Sequence, residues 1–433
     1  MSSTQARRRR IVFSSIAASV AFVLAGCAGS SGGGSGDGTA HLDVALWGDA
    51  NRAELYEQAL DMFEEENSGV TTSLQFADLN PYLERLATSA AAQDLPDVMW
   101  MRDTHIGRYG SSGALLDLTP YLGDIISTDA IGEAGVADGT VDGGVYALPT
   151  HYVGQAVLFD EAKLTEIGAD AESIATWDGY AEVAIAAADP DNGYYGSVDP
   201  TTGATHRAFE AWVRQSGEEM FSEDGGIGFT AETAEAWFQY WADLRDAGVL
   251  PPADVQIESE SSGWTSDLLT TGQAALRPSS TNHLSIVQEL TPEPIGLAST
   301  PADEDAEEDW WFFPPILISV AANTSDPEAA AKLVDFFVND ADAGAVTTLS
   351  QGAPASSEVR DEILPGLDDQ ETRFIEQISR EQENPRRPFP IRPEGAEGFN
   401  AAITRAGEEI AYGRQSVEEA VAALMASAEQ TLR

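Results

Sequence analysis

"HLDVALWGDANRAELYEQALDMFEEENSGVTTSLQF" from His41 to Phe76, followed by "LPDVMWM" from Leu95 to Met101, switches repeatedly between two periodicities. His41 to Trp47, Val70 to Phe76 and the run from Asp97 read as strands, whereas Leu55, Ala59, Met62 and Phe63, and then Leu83, Leu86, Ala87 and Ala90, recur at helical spacing. The order strand, helix, strand, helix, strand places the chain in the α/β class, with a parallel or mixed sheet flanked by helices. Such sheets take their ligands beyond the carboxyl ends of the strands. Trp47, Asp49, Arg102 and Asp103 fall there and are candidate ligand-binding residues.

Further along, Thr230 caps a helix carrying Trp237, Tyr240, Trp241 and Leu244 on one stripe. Asp326-Pro327-Glu328 starts another helix with proline at its first position. Ser416 to Glu419 forms a capping box for the last one. "TTGQAALRPSSTNH" from Thr270 gives a turn, a short strand and a polar loop.

Upstream, Arg7 to Arg10 and the uncharged stretch Ile11 to Ala25 have the order of a secretory signal peptide, assigned here to residues 1–26. Leu24-Ala25-Gly26-Cys27 resembles the bacterial lipobox, which implies lipidation of Cys27 and its use as the first mature residue. Two or more acyl chains hold a protein on a membrane where one does not. The Gly/Ser-rich stretch that follows makes residues 27–40 a flexible tether, and the fold begins near His41.

Seventy-two acidic residues against 23 Lys and Arg give a net charge of −49, a field that repels nucleic acid. One cysteine allows no internal disulfide, so burial must hold the chain, and a chain of this length divides into two domains.

From Leu42 onward the order of "LPDVMWM", "GGVYALPTHYVGQAVLFDEAKLTEIGA", "TWDGYAEVA", "TTGQAAL", "ANTSDPEAAAKLVDFFVND" and "SVEEAVAALMASAEQTL" resembles the family 1 extracellular solute-binding proteins of ABC importers, the group containing maltose-binding protein. Two stretches depart from that pattern: Phe159-Asp160 stands where the family has Tyr-Asn, and Leu276 followed by Asn282-His283 replaces a Met-then-Trp region. The resemblance implies a two-lobe periplasmic-binding-protein fold of type II kind with three hinge crossovers, near Pro149 to Gly154, Phe313 to Ile316 and Gly352 to Ser357. It implies lobe 1 from 41–150 and 314–354, and lobe 2 from 151–313 and 355–433. It also implies a monomer that captures a carbohydrate between the lobes and delivers it to the membrane subunits of an ABC importer, outside the cytoplasm and lipid-anchored through Cys27 on the outer face of the bacterial cell membrane.

A sugar offers hydroxyls at its edge and C–H bonds on its faces, so its pocket needs flat rings and fixed charged donors and acceptors. Trp100, Trp177, Trp212, Trp237 and Trp241 sit in apolar strand or helix patterns and are packing residues. Trp264, in a Ser/Gly-rich segment, and Trp310-Trp311, between an acidic loop and a crossing strand, join Trp47 as candidate stacking rings. Tyr152, Arg277 and Asn282 are added on the strength of the resemblance. The competing function, a lipid-anchored secreted hydrolase acting on glycosides, would use paired carboxylates. There is no HExxH and no GxSxG in the context that motif requires, and the five histidines have no ligand spacing, so no catalytic residue, metal or cofactor is expected. Cys27→Ser is expected to release the protein from membranes; labelled fatty acid incorporated into the variant to the wild-type extent would overturn the anchor assignment.

Overall fold

Along Val98–Arg102 alternate side chains supply two different cores, which is what a strand buried on both faces must do. Val98 and Trp100 join Leu42, Val44, Tyr56 and Phe63 on one side, while Met99 and Met101 join Ala45, Tyr82 and Leu86 on the other. Trp100 meets the edges of Tyr56 and Phe337 at centroid distances of 5.1 and 4.9 Å. The strand lies parallel to Ala40–Trp47, which lies parallel to Val70–Ala77, and the helices Ala50–Glu66 and Leu79–Ala92 connect them. Pro315–Val320 runs antiparallel on the far side of Val98–Arg102, followed by Leu148–Tyr152 and the short Ala353–Pro354. This is a mixed six-stranded sheet.

The computed structural model describes residues 39–432 except 204–205, 223, 305, 308–314, 348, 384–386, 388–389, 391 and 394. The signal peptide, Cys27 and nearly all of the tether, together with Trp310 and Trp311, lie outside the described residues. The described residues belong to one compact unit beginning at Thr39, and within it a second sheet orders Ile295–Ser299, Gln155–Asp160, Ala274–Ser280 and Tyr195–Ser197. Its core is aromatic: Trp177, Trp237 and Trp241 are buried with edge-on contacts between neighbouring rings, and Trp212 packs beside them. Thr230 and Ser416 cap their helices by accepting from Thr233 N–H and Glu419 N–H.

The chain leaves the first sheet after Tyr152 and enters the second at Gln155, so Val153 and Gly154 are the passage. The crossing expected at Gly352 to Ser357 is a correction. Val359, Ile363, Phe374, Ile375 and Ile378 lie in the core of the first sheet, so the helices Ser357–Ile363 and Asp369–Gln382 bury their apolar faces there, while the second of them also reaches elements of the other sheet through Arg373 paired with Glu161 and Ser299 donating to Glu381. Only from Ala396 does the chain return to the second core, through Phe399 and Ile403. Ser356 caps a helix whose apolar face continues an existing core, and periodicity cannot say which of two cores such a face joins.

Gly352 adopts φ +137°, and a Cβ there would meet the Tyr152 carbonyl oxygen at 2.5 Å, backbone that cannot yield. Gly352→Ala is therefore expected to destabilise the fold by about 1 to 3 kcal/mol, the cost of holding a residue in a sparsely populated conformation. An unchanged midpoint in urea would refute this reading of the close approach.

Candidate functional site

The strand Ala274–Ser280 sets one face of the second sheet. Leu276 points into the apolar core, so Arg277, one residue on, faces the other way. The Arg277 guanidinium pairs with Asp267 at 3.0 Å and Glu260 at 3.4 Å, and lies 4.8 Å from the Trp264 ring centroid. The Trp264 ring is 4.4 Å from that of His283, whose Nδ1 is 2.9 Å from Ser279 Oγ. Arg277, Glu260, Trp264, His283 and Ser279, with Gln155, Arg207 and Ser280, line a pocket of about 240 Å³.

Electrostatics in this pocket follow from burial. Desolvation pushes Glu260 up from the usual carboxylate range, opposed by Arg277 and reinforced by Asp267. Burial, and then Arg277, pushes His283 down to about 4, so the ring is neutral near neutral pH. The site thus offers an indole face, guanidinium donors, and carboxylate, hydroxyl and imidazole acceptors, the set that a polyhydroxylated solute needs.

Behind Arg207 stands a buried ionic cluster. Arg207 Nη1 and Nη2 donate to the carboxylate of Asp103 at 3.3 Å, and Arg392 Nε donates to the same carboxylate at 2.8 Å. Arg392 Nη2 donates to both oxygens of Glu210 at 2.8 Å. Burial alone would raise the Asp103 carboxyl; Arg207 and Arg392 more than offset that and hold it far below the usual range. Arg392 also lines a second cavity, of about 470 Å³, with Thr104, His105, Arg108 and Glu397.

Of the residues singled out in the sequence, Trp264 and Arg277 line the pocket. Asn282 adjoins it as the residue before the helix His283–Leu290, with a buried Oδ1 that has no partner. Asp103 is held within the ionic cluster, and Arg102 ends its strand half-buried beside it. Three residues are not brought to the pocket. Trp47 packs on Tyr82 at 5.8 Å, Asp49 caps the first helix by accepting from Arg52 N–H, and Tyr152 is buried in the first core with its hydroxyl donating to Asp138. Arg207, Glu260 and His283 in the pocket, and Glu210 and Arg392 in the cluster behind it, are positions that the sequence reading did not select. The sequence signal for two of them was the Arg207/Glu210 spacing on a helix whose neighbouring positions are apolar.

His151, His206 and His283 are all held neutral by burial, with values pushed down to about 3, 3 and 4. In the unfolded chain each takes up a proton near its ordinary 6.5, so as pH falls the unfolded state binds more protons and the fold loses stability. The melting temperature is therefore expected to drop between about pH 6.5 and pH 4, and His283→Gln should make that drop shallower. A variant with the wild-type slope would show that His283 contributes nothing to it.

Residues 58–370 match the family described as bacterial extracellular solute-binding protein. The chain is 26% identical over 416 residues, 90% of each chain, to the maltodextrin-binding protein MdxE of Bacillus subtilis (strain 168). Among solved structures it resembles the family 1 extracellular solute-binding protein of Alicyclobacillus acidocaldarius, with TM-score 0.77, 24% identity, and 90% of this chain and 98% of that one covered. It also resembles a periplasmic oligogalacturonide binding protein from Yersinia enterocolitica, with TM-score 0.74, 19% identity, and 90% and 97% covered. A match to the family over most of the length, on a frame of two α/β sheets, establishes that this chain belongs to the bacterial extracellular solute-binding proteins.

Proposed function

We propose that this protein captures a sugar or oligosaccharide in a cleft between two lobes, one built on each sheet, and delivers it to the membrane subunits of an ABC importer. The observation that carries the reading is the Trp264 ring set among Arg277, Glu260 and His283, a flat apolar face beside charged and polar hydrogen-bonding groups. The relative named for maltodextrin binding, at 26% identity over 90% of both chains, supports a carbohydrate solute. The protein acts as a monomer and performs no chemistry on its solute. The leader is removed, Cys27 is acylated, and the Gly/Ser-rich tether keeps the binding unit at the outer face of the cell membrane. No helix among the described residues is long and apolar enough to cross a membrane, so import requires a separate permease.

A thermal-shift screen against neutral and acidic mono- and oligosaccharides tests this. A true solute at 100 times its dissociation constant should add about 2.7 kcal/mol of stability. Trp264→Ala is expected to weaken binding of that solute by roughly 1 to 3 kcal/mol while unfolding stays cooperative. No stabilisation by any carbohydrate, or hydrolysis of a bound glycoside, would overturn the proposal.

A further inference from the structure

Asp103 begins the helix Asp103–Ser111 at the end of a first-sheet strand, yet its partners come from the other side of the molecule. Arg207 stands on the helix His206–Gln215, whose Phe209 and Val213 belong to the second core, and Arg392 precedes the helix Ala396–Ala411 of that same core. Asp103 is 9% exposed, Glu210 1% and Arg392 8%. Two carboxylates and two guanidiniums thus meet away from water. A buried charge is tolerated only when it is matched, and removing one partner leaves the other uncompensated.

Arg207 also lines the pocket. Its positive charge is met from behind by Asp103, and that of the other pocket guanidinium, Arg277, is met by Asp267 and Glu260. A hydroxyl can still accept from these guanidiniums or donate to Glu260, because a hydroxyl brings no charge of its own. A carboxylated solute would bring an anion into a site whose cations are already balanced.

Resting on the reading of this pocket as the solute site, we infer that Asp103 is a positioning residue: it contacts no solute, but by holding and neutralising Arg207 from the first sheet it makes the pocket favour uncharged over carboxylated sugars. Without its charge, the cluster keeps Glu210 but loses one of the carboxylates that face Arg207 and Arg392, and the balance beside the pocket shifts by one positive charge, to which Arg102 adds its field. A carboxylate then becomes a welcome counterion.

Calorimetry with maltotriose and with digalacturonate, on wild type, Asp103→Asn, Asp103→Glu and Arg207→Gln, tests the inference. Asp103→Asn should shift the ratio of neutral to acidic affinity toward the acidic sugar by about tenfold, within the usual range of coupling between linked groups. Asp103→Glu, which keeps the charge, should stay near the wild-type ratio. Arg207→Gln leaves acid in excess and should move the ratio the opposite way; it carries the test if Asp103→Asn does not fold. A loss of affinity equal for both sugars, with the ratio unchanged in Asp103→Asn and Arg207→Gln, would reduce the cluster to a structural support and overturn the inference. If wild type binds neither sugar, the carbohydrate reading fails separately, and Asp103 is then judged by sulfate. At matched ionic strength, sulfate should raise the melting temperature of Asp103→Asn above its value in chloride, and do so less for wild type; equal responses would overturn the inference.

Discussion

Leu148–Tyr152 and Gln155–Asp160 form one nearly continuous extended run, yet its two halves hydrogen-bond into different sheets. With only Val153 and Gly154 between them, the two sheets cannot be placed independently. Gly154 N–H donates to Thr281 Oγ1, and its carbonyl accepts from Thr281 N–H, both at 3.0 Å. Thr281 immediately precedes Asn282 and His283, so the passage between the sheets is tied by two hydrogen bonds to the segment that builds one wall of the pocket. Gly352, pressed against the Tyr152 carbonyl, holds the same passage from the first sheet.

Given that geometry, the ionic cluster is better understood as a specifier than as a source of stability. Taking charges out of water costs several kcal/mol for each ion, and good pairing does little more than recover it. What the cluster supplies is direction: the Arg392 side chain reaches Asp103 through Nε and Glu210 through Nη2, a fork geometry that a lysine cannot reproduce. Asp103 also sits in the first turn of its helix, where unsatisfied backbone N–H groups favour a negative charge.

The strand and helix pattern from His41 to Met101 was legible because Ala40–Trp47, Val98–Arg102 and the two helices bury apolar side chains at the right period and Asp49 caps the first helix. The same signal sorted Trp100, Trp177, Trp237 and Trp241 into cores, since each lies on an apolar stripe or in an apolar run. It failed where tertiary placement decides. Asp103 and Arg392 are 289 positions apart and Asp103 and Arg207 are 104 apart, and nothing local marks either pair. Tyr152 was selected on the strength of the family resemblance, but a tyrosine whose hydroxyl finds a buried carboxylate is equally at home in a core. His283 was read as part of a polar loop because the helix His283–Leu290 spans only two turns and has no side-chain cap to announce it.

The pocket-lining residues, from Gln155 through Arg207 and Trp264 to His283, all stand on elements of the second sheet or pack around it. The first sheet reaches that pocket indirectly, through Asp103 at the back of Arg207. A solute could therefore meet most of its contacts on one body before the other engages. Ligand can favour the joined arrangement only through interactions that differ between joined and separated states. Arg207 is such a point of difference, because its counterion is supplied by the other sheet. Separation would take the Asp103 carboxylate away from both Arg207 and Arg392, so this pairing favours the joined state, and any solute group that touches Arg207 senses whether the two sheets are together.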